Sequence, residues 1–190
     1  MTRVDLMIEW EIAAIQRLLD EAPDFLVARA REARVSGRSG FLPDGRMNDE
    51  EALLAAASLA REAIIYHLNA VVDWFLLALA TRILPHEWGL TPEAQARSRG
   101  KLVSAIENHY HLTVKDLPGW GEVDHLREEA NALKHRGGSH LPELTSIGVP
   151  LFRHVDATQE VLRKRVAGTR EWLLNLWQAT EVAGSVQPER

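Results

Sequence analysis

Apolar residues recur at helical spacing along almost the whole chain. Val4, Met7, Ile8, Ile12, Ile15, Leu18 and Leu19 make one amphipathic face, because positions three and four apart share a side of an α-helix. Ala22-Pro23 is expected to end that helix, and Asp24 to cap a shorter second one from Phe25 to about Val35. Ser36-Gly-Arg-Ser-Gly40 and Leu42-Pro-Asp-Gly45 read as a loop. Asn48 or Asp49 then caps the longest helical pattern, which reaches Leu84 before Pro85 stops it. Unbroken, it would be about 50 Å long, which leaves open one helix or two.

Thr91-Pro92-Glu93 is a helix-start signal for a segment reaching about His109, with Leu102, Val103 and Ile106 turned inward. After a loop through Leu117-Pro-Gly119, a further helix is expected from near Trp120 to a stop at Gly137-Gly138. Ser139 to Phe152 reads as a loop, with Ile147 to Phe152 its one candidate strand, weakened by Pro150. The last helix is expected from about Asp156 to Val182, with Val161, Leu162, Val166, Trp172, Leu173, Leu176 and Trp177 as core. The pattern predicts an all-α bundle of about five to six helices around the long 48–84 segment. We expect a single domain over 1–183, with a helical hairpin at 1–36 packing on a bundle at 48–182 and a disordered tail at 184–190.

Composition narrows the chemistry. The 190 residues carry 22 Lys+Arg, 27 Asp+Glu and eight histidines, for a formal charge of −5. With 46% hydrophobic and 26% charged residues the chain is globular. There is no cysteine, so disulfides, zinc-thiolate sites, iron–sulfur clusters and thiol nucleophiles are excluded. Acidic residues at positions 5, 9, 11 and 20 do not read as a secretory leader. His67, Asn69, Asp73 and Arg82 interrupt the most apolar window, Ala63 to Leu84, so a buried core helix is expected there and not a membrane span. A cytoplasmic location is the corresponding expectation. P-loop, dinucleotide-glycine, G-x-S-x-G and H-E-x-x-H motifs are all absent from the sequence.

Trp120 to Gly138 is the least generic stretch. Val123, Leu126, Ala130 and Leu133 fall at i, i+3, i+7 and i+10 and form a buried stripe. Arg127, Asn131 and His135 fall at i, i+4 and i+8, a second stripe on the flank of the first, where polar side chains can line a cleft. A histidine can move a proton near neutral pH, an arginine can hold a phosphate through two nitrogens, and an asparagine can orient either. The helix dipole favours a protonated His135 in the last turn. Lys134, Arg136 and His140 add positive charge beside it, a setting for a phosphodiester. Against this stands the bland alternative: basic residues and glycines end many helices simply by satisfying exposed carbonyls, and Arg127 with Asn131 could be a surface pair.

The stretch from Arg127 to Gly138 resembles the HEPN superfamily of helical-bundle domains. The resemblance extends weakly to Tyr66–Leu79, where Tyr66, Ala70, Leu76 and Leu77 look like that family's core-packing second helix. The family signature places an arginine four to six residues ahead of a histidine, often with asparagine straight after the arginine. Asn131 and His135 fit, but Ala130 stands in the arginine's usual place, and Arg127 lies one turn too early. The resemblance implies a metal-independent ribonuclease without cofactor, working as a homodimer, with histidine acting on the 2′-hydroxyl and arginine steadying the phosphate. It equally implies the alternative of a non-catalytic dimerisation or partner-binding module. RNA, an antitoxin or a nucleotidyltransferase-like protein are the implied partners, in toxin–antitoxin or defence settings.

Other constellations carry less. His109-Tyr-His111 resembles a chelating pair without a nearby repeat of carboxylates, and Glu62 with Tyr66 or His67 makes no ligand set, so a metal-dependent helical hydrolase is a third reading. Arg163-Lys-Arg165 with Arg170, and Arg97, Arg99 and Lys101, are basic patches that read mainly as solvated faces. Trp74 is expected in the core, and Trp172 and Trp177, five apart, are expected on different faces, one buried and one interfacial.

Overall fold

Five helices carry the described chain: α1 (Arg3–Val35), α2 (Asp49–Ile83), α3 (Arg99–Tyr110), α4 (Trp120–Ser139) and α5 (Gln159–Val186), with a 3₁₀ turn at Val114–Asp116. In the computed structural model, residues 3–43, 45–83, 99–139 and 159–186 are described. Among these residues there is no strand, and the protein is an all-α helical bundle. The candidate strand at 147–152 lies outside the described residues.

α1 departs from the expected pair of helices. It runs unbroken for 33 residues with Pro23 in its interior. Proline lacks the N–H that would bond the carbonyl four residues earlier. Here that carbonyl, on Leu19, accepts instead from Gln159 Nε2 at 2.6 Å. The missing bond is replaced from another helix, so the chain has no need to leave helical geometry at Pro23.

α2 starts as its sequence signals. The carbonyl of Asn48 accepts the first helical bond from Ala52 N, and its side-chain Oδ1 accepts from Asp49 N at 2.9 Å. Glu51 Oε1 turns back to accept from Gly40 N at 2.6 Å, which ties the preceding loop to the helix start. The helix then continues for 35 residues without a break. By length and composition its Asp49–Ala80 stretch is apolar enough to cross a membrane, and its most apolar 18-residue window has a mean hydropathy of 1.7, yet half of that window is buried inside the protein.

Three further expectations need correction. α4 passes through Gly137 and Gly138 to Ser139; glycine weakens a helix by roughly 0.5–1 kcal/mol relative to alanine but does not forbid it. α5 continues to Val186, so 184–186 are helical and not tail. Trp172 and Trp177 are both buried, at 0% and 5% exposure, whereas Trp74 is 46% exposed. The buried face of α5 is broad enough to take in residues five apart, while Arg163, Arg170, Glu171 and Gln178 on the opposite side are exposed.

The chain divides into two compact units. One comprises Met1–Ile12, Leu68–Arg127 and Arg165–Arg190. Its core draws Phe75 and Leu76 from α2, Leu102 and Ile106 from α3, Val123 and Leu126 from α4, and Trp172 and Leu176 from α5. Trp172 Nε1 donates to the carbonyl of Val114 at 3.2 Å, which fixes the 3₁₀ turn over the indole. The other unit comprises Ala13–His67 and Glu128–Lys164. Its buried residues include Ile15 and Leu19 of α1, Ile64 and Ile65 of α2, and Leu162 of α5.

Candidate functional site

α4 begins at a close approach of backbones. Gly119 has φ +88°, a left-handed conformation open mainly to glycine. A Cβ there would collide with the carbonyl oxygen of Gly168 and lie 2.9 Å from Trp172 N. The start of α4 is therefore pinned against α5, with the Trp120 and Trp172 rings 5.8 Å apart.

From that start the helix turns its apolar stripe inward. Val123, Leu126 and Ala130 are buried and Leu133 is half-buried. Arg127, Asn131 and Lys134 are exposed. Arg127 Nη2 lies 3.2 Å from Asp124 Oδ1, an i,i+3 pair with both side chains about half exposed. Such a pair contributes about 0.2–0.5 kcal/mol to a helix. The described part of the polar stripe thus meets solvent, and neither Arg127 nor Asn131 borders the cavities described below. His135 and Arg136 lie on α4, but their side chains, and His140 altogether, fall outside the described residues.

Ala130, which stands where the HEPN signature carries arginine, is 1% exposed. An arginine at this position would have to bury its guanidinium among the apolar residues of the stripe. Of the four residues that suggested a HEPN-type second helix, Leu76 is buried, Tyr66 and Leu77 are half-buried and Ala70 is exposed.

The arginines of the basic patches are occupied by carboxylates. On α5, Arg163 holds Asp20 at 3.1 Å, Arg165 holds Glu122, and Arg170 holds Glu9. The Arg165–Glu122 pair is only 12% and 16% exposed and clamps α5 to the start of α4, whereas Arg163 and Arg170 stay about half exposed. Hydrogen bonds from Gln16 and Arg163 hold the Asp20 carboxyl below its ordinary value. Glu9 holds the Arg170 guanidinium further up. On α3, Arg99 is 11% exposed and donates from Nε to Asp73 Oδ1 at 2.7 Å and from Nη2 to Asn69 Oδ1 at 2.8 Å. Its Nη1 is buried without a partner. Arg97 lies outside the described residues, and Lys101 is exposed.

Among the described residues no three His, Asp or Glu side chains come together to hold a metal. Two cavities are lined by described residues. One, of about 370 Å³, is bordered by Arg29, Ala33, Arg38 and Asp49, and the Arg38–Asp49 ion pair at 2.5 Å already satisfies two of its charges. The other, of about 630 Å³, opens between the end of α3 and the last turns of α5 and is bordered by Tyr110, His111, Leu117 and Gln178 among others. Sequence reasoning considered His111 only as half of a chelating pair and missed Gln178, because nothing local ties α3 to α5. No protein-family model matches this chain, and no curated protein or solved structure does so either.

Proposed function

We propose that this chain is a cytoplasmic, HEPN-like helical module that acts through protein pairing, with a second copy of itself or an antitoxin- or nucleotidyltransferase-like partner, and not by cleaving RNA. The burial of Ala130 carries this reading: at 1% exposure, the position of the signature arginine belongs to the core. Arg127 lies one helical turn from that position and is exposed beside Asp124. The engagement of Arg163, Arg165 and Arg170 by carboxylates further reduces the positive surface an RNA backbone would need.

A metal-independent ribonuclease remains the second reading, favoured by one observation. Asn131 and His135 are four apart on the continuous helix α4, with Lys134 exposed between them. In that version His135 moves the proton, Arg127 and Asn131 address the phosphate, and Lys134, Arg136 and His140 attract it.

Incubating the purified protein with mixed RNA, with and without a chelator, beside His135→Ala separates the two. The pairing reading expects no cleavage in any arm and a dimer or a stable partner complex by sedimentation. Chelator-resistant cleavage that disappears in His135→Ala overturns it in favour of the ribonuclease. Cleavage abolished by the chelator overturns both and returns the metal-dependent hydrolase.

A further inference from the structure

The larger cavity has properties that the pairing reading does not use. It lies within one compact unit, where the C-terminus of α3 and the end of the 3₁₀ turn approach the Asn175–Ala183 part of α5. Leu117, Ala179, Val182 and Ala183 give it an apolar floor. Tyr110, His111, Asn175 and Gln178 are the polar side chains among its described lining residues. Among the described residues no Lys, Arg, Asp or Glu lines it, although such residues make up 26% of the chain.

His111 is placed there at a conformational cost. It is the one non-glycine residue with positive φ among the described residues, at 53°. Leu112 N reaches back to the carbonyl of Glu107 at 3.3 Å, the closing bond of a helix C-terminus whose left-handed position glycine normally occupies. A left-handed L-residue is strained by its Cβ against the following carbonyl oxygen, and a glycine here would remove that strain. What histidine adds is a side chain at the cavity.

Two of the bordering polar groups are unspent. Among the described residues neither the His111 imidazole nor the Gln178 amide makes a hydrogen bond, whereas Asn175 Nδ2 is committed to the carbonyl of Glu171 at 2.8 Å. Tyr110 packs edge-on against His109, with ring centroids 4.7 Å apart, which steadies its ring beside the opening. Apolar floor, uncharged border and a donor–acceptor pair at the mouth together select a ligand class.

We propose that this cavity binds a small, uncharged, planar aromatic molecule bearing an amide-like edge, with the ring over Leu117 and Val182 and the edge hydrogen-bonded by His111 and Gln178. A formal charge on the ligand would meet no counter-charge among the described lining side chains, so anionic isosteres bind worse.

Benzamide is a suitable probe, with benzoate as its charged counterpart and toluene as the ring without an edge. Titration followed by backbone amide NMR should give benzamide-dependent shifts confined to 110–117 and 175–183. Benzoate and toluene should bind more weakly, each by about three- to tenfold or more. Gln178→Leu and His111→Gly should each weaken benzamide by about three- to tenfold, and Val182→Trp should block it by filling the space. His111→Gly carries a second readout: it should melt a few degrees higher while binding worse, because a purely structural histidine is replaced by glycine without loss. No benzamide shifts up to its solubility limit, or equal affinity in His111→Gly and Gln178→Leu, overturns the proposal. So does benzoate binding as tightly as benzamide.

Discussion

The side chain of Gln159 donates from Nε2 to the carbonyl oxygen of Leu19 at 2.6 Å, across 140 positions of sequence. Leu19 lies four residues before Pro23, so this carbonyl is the one that proline leaves without its helical donor. A long-range bond thereby supports a local irregularity, and α1 crosses the proline as one helix.

Removing that donor should be costly only while the proline is present. Gln159→Leu is expected to destabilise by about 1–3 kcal/mol, the penalty of leaving a part-buried carbonyl unsatisfied. In a Pro23→Ala background the new backbone N–H restores the helical bond, and Gln159→Leu should then cost less than about 1 kcal/mol. Urea unfolding of the four proteins in this cycle measures the coupling. Equal costs in both backgrounds would show that the bond does not replace the proline's missing donor.

Gly119→Ala should be among the most damaging small substitutions. It combines a φ of +88° with a collision against the Gly168 carbonyl. Overpacking of this kind costs about 1–3 kcal/mol, and the left-handed strain adds about 1 kcal/mol more. Thermal melting would report the loss, while Gly121→Ala, where an added Cβ meets nothing within 4 Å, serves as the neutral control.

Acid should weaken the fold partly through Asp20. Hydrogen bonds from Gln16 and then Arg163 hold its folded-state carboxyl below the ordinary 3.8. A depressed carboxyl contributes stability above its unfolded value, and that contribution disappears as pH falls through the folded one. The contribution is therefore intact at neutral pH and fades below about pH 4. Asp20→Asn should flatten the acid limb of a stability–pH curve and leave the alkaline limb unchanged. Because Asp20 is solvent-exposed, the effect is small and shrinks with added salt.

Restoring the signature arginine should not restore a nuclease. Ala130→Arg places an unpaired charge in a position that is 1% exposed, at an expected cost of about 3 kcal/mol or more. The variant should melt well below the parent and show no gain in RNA cleavage. A folded variant of unchanged stability that cuts RNA would show that position 130 opens toward a site.

Much of the fold was legible in the chain itself. Helical periodicity announced the all-α class, the pair Asn48 or Asp49 announced the start of α2, and the spacing of Val123, Leu126 and Ala130 announced the inward face of α4. The candidate site was legible as a stripe, since Arg127, Asn131 and His135 share a helix flank by spacing alone. Whether that flank lines a cleft depends on what other elements bring opposite it, and periodicity is silent on that. Arg163, Arg165 and Arg170 look like a solvated or phosphate-binding run in sequence, yet Asp20, Glu122 and Glu9 hold them.

Local preference therefore settled which segments are helical and which residue types point inward, because spacing at 3.6 residues per turn is a property of neighbours. Tertiary structure alone decided that α1 continues through Pro23, that both Trp172 and Trp177 are enclosed while Trp74 is not, and that Tyr110 and His111 meet Gln178 around one cavity. Each of these outcomes depends on a hydrogen-bond donor, an apolar surface or a side chain supplied from a distant part of the chain. Short-range propensity carries no record of that partner.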